Sequence, residues 1–180
     1  MKTPYFINYS IILFFTLCLY SCKTDGKIKE ETQQTEESDK KDNKISSKDI
    51  DQLDYTEYVL SDLALDKTKD WAKFTELQNH INFLTQGDLS FFKDDKEILI
   101  SVFTDLKKEI PESVSAPEIN VRLSVIETTA IKLQETSNIY NIEKTLLLNS
   151  IKDVLVANSN LILQINKKFE RESQNIEKPN

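Results

Sequence analysis

Two glycines and one histidine are all that this 180-residue chain holds of either type. Phosphate-cradling loops need glycines, whose bare backbone lets N–H groups close on the anion. Their common forms are therefore excluded. A lone His80 leaves no second imidazole for a zinc-type site, and no motif around it marks a nucleophile–base pair. Proline is scarce as well. Beyond the N-terminal third, the only helix breakers before the last residues are Gly87, Pro111 and Pro117. They fall between stretches of helical apolar spacing, which is how a helical protein is punctuated.

Positive charge is in deficit: 23 Lys and Arg stand against 30 Asp and Glu, a net charge of −7. An acidic chain repels nucleic-acid phosphates, so no nucleic-acid partner is expected. Long hydrophobic runs are also missing, with one exception, Ile11 to Tyr20. Ten apolar residues cover about 15 Å as a helix, roughly half a bilayer core. That suits a signal-peptide core better than a transmembrane anchor.

The run ends in Leu19-Tyr20-Ser21-Cys22. This resembles the bacterial lipobox, with Leu19 at the aliphatic position, Ser21 at the small one and Cys22 at the acylated one. Tyr20 is bulkier than the usual residue. The resemblance implies a lipoprotein signal peptide over residues 1–21 and lipidation of Cys22. Two or more acyl chains would hold the protein on a membrane. Cys18 would leave with the leader, so the mature chain would carry no disulfide. Lys23, rather than Asp, follows Cys22 and resembles an outer-membrane sorting signal. The expected location is the bacterial cell envelope, lipid-anchored at the outer membrane.

Residues 22–48 are almost free of apolar side chains, apart from Ile28 and Ile45. Such a stretch buries too little surface to offset the entropy of ordering it. The expectation is a disordered linker behind acylated Cys22, on the order of 30 Å across as a flexible coil. Its charges balance, so the acidic excess belongs to the residues after it. Residues 49–172 have the size of one domain, and residues 173–180 read as a flexible tail.

Within 49–172 apolar residues recur every three or four positions. A first helix is expected over about 54–86. A capping box Asp54-x-x-Glu57 opens it and Gly87, in the left-handed position, closes it. A break near Asp66-Lys67-Thr68 stays open. Its stripe is Trp71, Phe74, Leu77, Ile81 and Leu84. A second helix, about 89–110, is capped by Asp88 or Ser90 and stopped by Pro111. Phe92, Leu99, Phe103, Leu106 and Ile110 share its inner face, widened by Phe91, Ile98 and Val102. Ser115-x-x-Glu118 with Pro117 starts a third helix, striped by Ile119, Leu123, Ile126, Ala130 and Leu133. A fourth carries Leu147, Ile151, Val154, Leu161, Ile165 and Phe169. The spacing can run on through Ser137, Tyr140 and Lys144, giving one helix roughly 80 Å long. The turn formers Thr136, Ser137, Asn138 and Asn141 favour a reversal instead. The expected fold class is all-α: an antiparallel helical bundle of about four helices behind a signal peptide and a disordered tether.

Three runs carry a family likeness: Gly87-Asp88-Leu89-Ser90-Phe91-Phe92, Asp105-Leu106-Lys107-Lys108-Glu109-Ile110-Pro111-Glu112, and Val121-Arg122-Leu123 through Glu127-Thr128. They resemble a family of small lipoproteins of Bacteroidetes-type bacteria, over most of residues 55–172. The resemblance implies a compartment and no chemistry.

Candidate chemistry is thin. Asp62, Asp66 and Asp70 repeat at i, i+4 and i+8, and Glu76 precedes His80 by four residues. Each set would share a helix face, so these five residues are the candidates for a metal site. Lys67, Lys69 and Lys73 sit among them, and no calcium-hand loop is present. A solvated acidic face is the simpler reading. Asn158 falls on the apolar stripe of the fourth helix, where a buried amide sets register between helices. Trp71, Phe91 and Phe92 read as core. No catalytic residue and no cofactor is expected. The function expected is a lipid-anchored, non-enzymatic envelope module that contacts another envelope protein. The alternative is a bundle that binds a cation or small ligand.

Overall fold

The computed structural model describes residues 44–174. The leader, Cys22 and most of the expected linker lie outside the described residues, as do residues 175–180. All described secondary structure is helical. Among the described residues there are six α-helices: α1 Ser47–Asp51, α2 Asp62–Thr68, α3 Ala72–Thr85, α4 Lys96–Lys108, α5 Pro117–Ser137 and α6 Lys144–Ser173. One 3-10 turn, Phe91–Lys93, precedes α4.

Packing begins earlier than the expected boundary at residue 49. Ile45 and Ile50 are both buried. Ser46 opens α1, and the Asp49 carboxylate accepts from the Ser46 backbone N–H (2.9 Å) and from its hydroxyl (2.6 Å). The expected linker thus loses its last residues to the domain, because one isoleucine and one reciprocal cap are enough to seat a single turn. Gly87 explains the fit. Its φ of +88° closes α3 in the left-handed region, and a Cβ there would stand 2.9 Å from the Ile45 carbonyl oxygen. Only glycine meets both demands.

The first expected helix is the largest correction. Residues 53–61 form neither helix nor strand, and no capping box forms between Asp54 and Glu57. Leu53 and Tyr55 pack on the core, while Asp54 and Thr56 to Val59 are exposed. Helix α2 ends at Thr68, and Trp71 sits at the N-cap of α3. Its indole is fully buried, stacks on Phe74 at 5.0 Å, and donates from Nε1 to the Leu106 carbonyl at 3.1 Å. That one bond ties α3 to α4 and satisfies the only polar atom of the ring.

The second expected helix is shorter than its apolar pattern. Asp88 accepts from the N–H and hydroxyl of Ser90 and so makes a turn rather than a helix cap. Helix α4 starts instead at Asp95, whose carboxylate accepts from the Glu97 N–H at 2.9 Å. Phe92, Leu99, Phe103 and Leu106 are buried, whereas Ile98 is exposed. The N-cap of α5 is Ala116, with Pro117 at the first helical position, so the expected Ser115–Glu118 box does not form.

Helices α5 and α6 are separate, joined by the loop 138–143. Asn141 turns the chain at φ +54° rather than capping α6; Glu143 holds the N-cap. Lys132 pairs with Asp153 (2.7 Å), Ser150 with Thr136 (3.2 Å) and Arg171 with Glu118 (3.9 Å). Partner numbers fall on one helix as they rise on the other, so the two run antiparallel. Every residue of both expected stripes is buried. Helix α6 is also long and apolar enough to cross a membrane, but 56% of that window is buried inside the fold. It is the central helix, with α1, α2, α3 and α5 packed around it.

Candidate functional site

The five residues expected to offer a metal site do not converge. Asp62 and Asp66 lie exposed on α2, and Asp70 sits in the turn beyond its end, because the helix stops at Thr68. Asp66 is held by Lys69 at 2.8 Å, and Glu76 by Lys73 at 2.9 Å. His80 lies flat on Phe91, ring centroids 3.7 Å apart and 5° from parallel. Burial against that ring pushes the imidazole pKa down, and the Glu76 charge works weakly the other way. Among the described residues, no three His, Cys, Asp or Glu side chains form a group able to hold a metal ion. Cys22, the expected lipidation site, lies outside the described residues.

The structure builds a different site around the non-helical segment 53–61. This strap lies along α6 with no strand beside it. Its backbone is held by two side chains of α6. Ser159 Oγ donates to the Thr56 carbonyl (2.6 Å) and accepts from the Tyr58 N–H (2.9 Å). Asn166 Nδ2 donates to the Val59 carbonyl (2.8 Å), and its Oδ1 accepts from the Ser61 N–H (2.9 Å). The spacing is matched. Seven residues of helix rise about 10.5 Å, and the three residues from Tyr58 to Ser61 span about 10 Å when extended.

The strap walls a groove of about 360 Å³ against α2, α3 and α6. Leu60, Leu65, Ile81 and Ile162 supply apolar lining. On the floor, Gln78 and Asn158 bond each other twice: Gln78 Nε2 donates to Asn158 Oδ1 (2.9 Å), and Asn158 Nδ2 donates to Gln78 Oε1 (3.2 Å). Asn158 is therefore the register residue the stripe implied, with a partner on α3. Each amide keeps a second N–H and a free lone pair. The rim is apolar: Tyr58 and Leu65 are exposed, and Val59 is 79% exposed. Glu57 is the only charged side chain in the lining. The backbone groups of Glu57 and Leu60 make no hydrogen bond with any described residue.

Such a groove can seat an apolar side chain and hydrogen-bond an amide. It does not bring together an acid and a base. Ser159, Asn166 and Gln78 were not singled out from sequence. Two signals pointed to them: the Leu53–Tyr55 alternation, and polar residues standing on an otherwise apolar helix face. No family model, no curated protein and no solved structure matches the chain.

Proposed function

We propose that this protein is a lipid-anchored, non-enzymatic module of the bacterial cell envelope that works by binding another protein. Acyl chains on Cys22 hold it at the outer membrane. Its scaffold is an antiparallel bundle of four long helices, α3 to α6, to which the strap adds a docking edge. The single observation that carries the reading is that strap. Ser159 and Asn166 hold the backbone of Thr56, Tyr58, Val59 and Ser61, while the backbone groups of Glu57 and Leu60 bond no described residue beside an apolar groove. An extended segment of a partner, laid along such an edge, gains main-chain hydrogen bonds and a pocket for an alternate side chain.

The test places a photo-cross-linking side chain at Val59 on the groove rim, and at Lys108 away from it, in cells. One protein captured repeatedly from Val59 and not from Lys108 supports the reading. Equal, unspecific capture at both sinks it. Mass spectrometry of Cys22 checks the anchor, and an unmodified thiol there removes the membrane from the proposal.

A second reading has one observation in its favour. The groove volume lies in the range of small-ligand sites. Calorimetric titration with Ca²⁺, Zn²⁺ and haem, each without heat, removes most of that option.

A further inference from the structure

The loop joining α5 to α6 exposes apolar side chains that the fold does not force outward. Tyr140 is 97% exposed, and Ile139 and Leu146 are each 54% exposed. The loop is built, not frayed. The Asn138 N–H and amide both donate to the Gln134 carbonyl, and the Ile139 N–H donates to that of Thr136. Asn141 takes the left-handed turn, and Ile142 packs back against the core. A hydrogen-bonded turn therefore presents Ile139 and Tyr140 at the tip, with Leu146 in the first turn of α6 that follows.

The chain enters the domain at this same end. Lys144, at the start of α6, pairs with Asp49 of α1 at 2.8 Å. Lys44, Ile45 and Leu147 line one small hollow. The first described residue thus lies beside the first turns of α6, next to the hairpin tip. The opposite end of α6 is about 45 Å away along its axis. Whatever path the chain takes from Cys22, its 22 steps to Lys44 cover at most about 75 Å. They join the domain at the end that carries Tyr140.

Charge around the tip is mixed, with lysines and carboxylates interspersed. Three acids near this end pair with lysines, Asp49 with Lys144, Glu135 with Lys96 (2.6 Å) and Asp153 with Lys132, while Glu143 stands exposed in the loop itself. Lys48 is exposed on α1. A tyrosine with an apolar ring and a polar hydroxyl, flanked by aliphatic residues, suits the boundary between headgroups and acyl chains.

We infer that the α5–α6 hairpin tip, Ile139, Tyr140 and Leu146, docks on the lipid bilayer and orients the domain on it. This rests on the anchor reading above for its place in the cell, and on the tip alone for its chemistry. Tethering raises the effective concentration of lipid at the tip, so a small apolar contact suffices.

The test uses the mature-length chain from residue 22 with Cys22→Ser. An N-terminal histidine tag binds it to phosphatidylcholine vesicles that carry nickel-chelating lipid. The chain then has no cysteine, so Asn138→Cys takes an environment-sensitive dye at one position. Glu112→Cys, in the turn at the far end of α5, is the control. Vesicle attachment is expected to cut quenching by an aqueous quencher several-fold at 138 and to leave 112 unchanged. Ile139→Ser with Tyr140→Ser is expected to restore quenching at 138, with unchanged circular dichroism. Equal quenching at 138 and 112 on vesicles overturns the proposal. So does protection at 138 that appears without lipid as protein concentration rises, since that marks a second copy on the tip. Acylation of Cys22 in cells is read separately by mass, so loss of the anchor and loss of the docking tip are distinguishable.

Discussion

The α5–α6 hairpin and the strap 53–61 are held by opposite means. The hairpin rests on repeated apolar stripes, Ile119 to Leu133 against Leu147 to Phe169, all buried. Its ion pairs lie on the outside and add little. The strap rests on four hydrogen bonds from two polar side chains and on a few half-buried apolar groups. Apolar burial is non-directional and tolerant, whereas a hydrogen-bonded strap depends on distances set by another element. The stable part of the molecule and the part with free binding groups are therefore built from different forces.

The comparison breaks most severely in the hairpin. Leu123→Ala removes a fully buried side chain from the α5 stripe. It is expected to cost about 2–5 kcal/mol and to lower the whole denaturation transition. Ser159→Ala should cost less, about 1–3 kcal/mol, because it unpairs the Thr56 carbonyl and the Tyr58 N–H at the surface. Its signature is local: hydrogen exchange quickens at Tyr58 while amides of α5 keep their protection. If α5 loses protection equally, the strap is part of the core unit and the distinction fails.

Gly87→Ala probes the junction between α3 and the entering chain. With φ at +88° and Ile45 O in the way, the expected cost is about 1–2 kcal/mol. Unfolding monitored by denaturant reads it directly, and an unchanged midpoint would contradict the close approach.

Two titrations give smaller effects of defined sign. Hydrogen bonds from Lys144 and Ser46 hold the Asp49 carboxyl at about 2, below its ordinary 3.8. The folded state binds this proton less readily, so the contribution is complete above pH 3.8 and is lost as pH falls toward 2. Asp49→Asn should abolish that dependence in the exchange of α1 amides. Burial lowers the His80 pKa below its ordinary 6.5. The unfolded chain therefore takes up the proton first, and stability falls as pH drops below about 6.5. In His80→Phe, the stability slope just below that pH should flatten. Smallest of all, Tyr140→Ser should leave stability within about 0.5 kcal/mol of the original, since the ring touches little of the domain.

Much of the scaffold was legible because helical periodicity is local. Trp71, Phe74, Leu77, Ile81 and Leu84 declared the inner face of α3, and the stripes of α5 and α6 did the same without error. Gly87 and the reversal before α6 were readable from turn chemistry. Caps were read less well. Asp54, Asp88 and Ser115 all had cap-like neighbours, yet the helices start elsewhere, because many sites in an acidic chain offer the same short motif. The candidate site was nearly invisible. Asn158 stood out on its stripe, but nothing local named Gln78, 80 residues earlier, as its partner.

The sequence by itself determined an all-helical domain, the inward face of each long helix and the places where the chain must turn. Those follow from side-chain spacing and from the φ angles that glycine and proline permit, both set within a few residues. Only the tertiary structure decided that residues 53–61 stay out of a helix, that Asp62, Asp66 and Asp70 do not join Glu76 and His80, and that a groove opens over an amide pair. Each of those depends on hydrogen bonds between groups far apart in the chain, whose free energy appears only once the helices have packed.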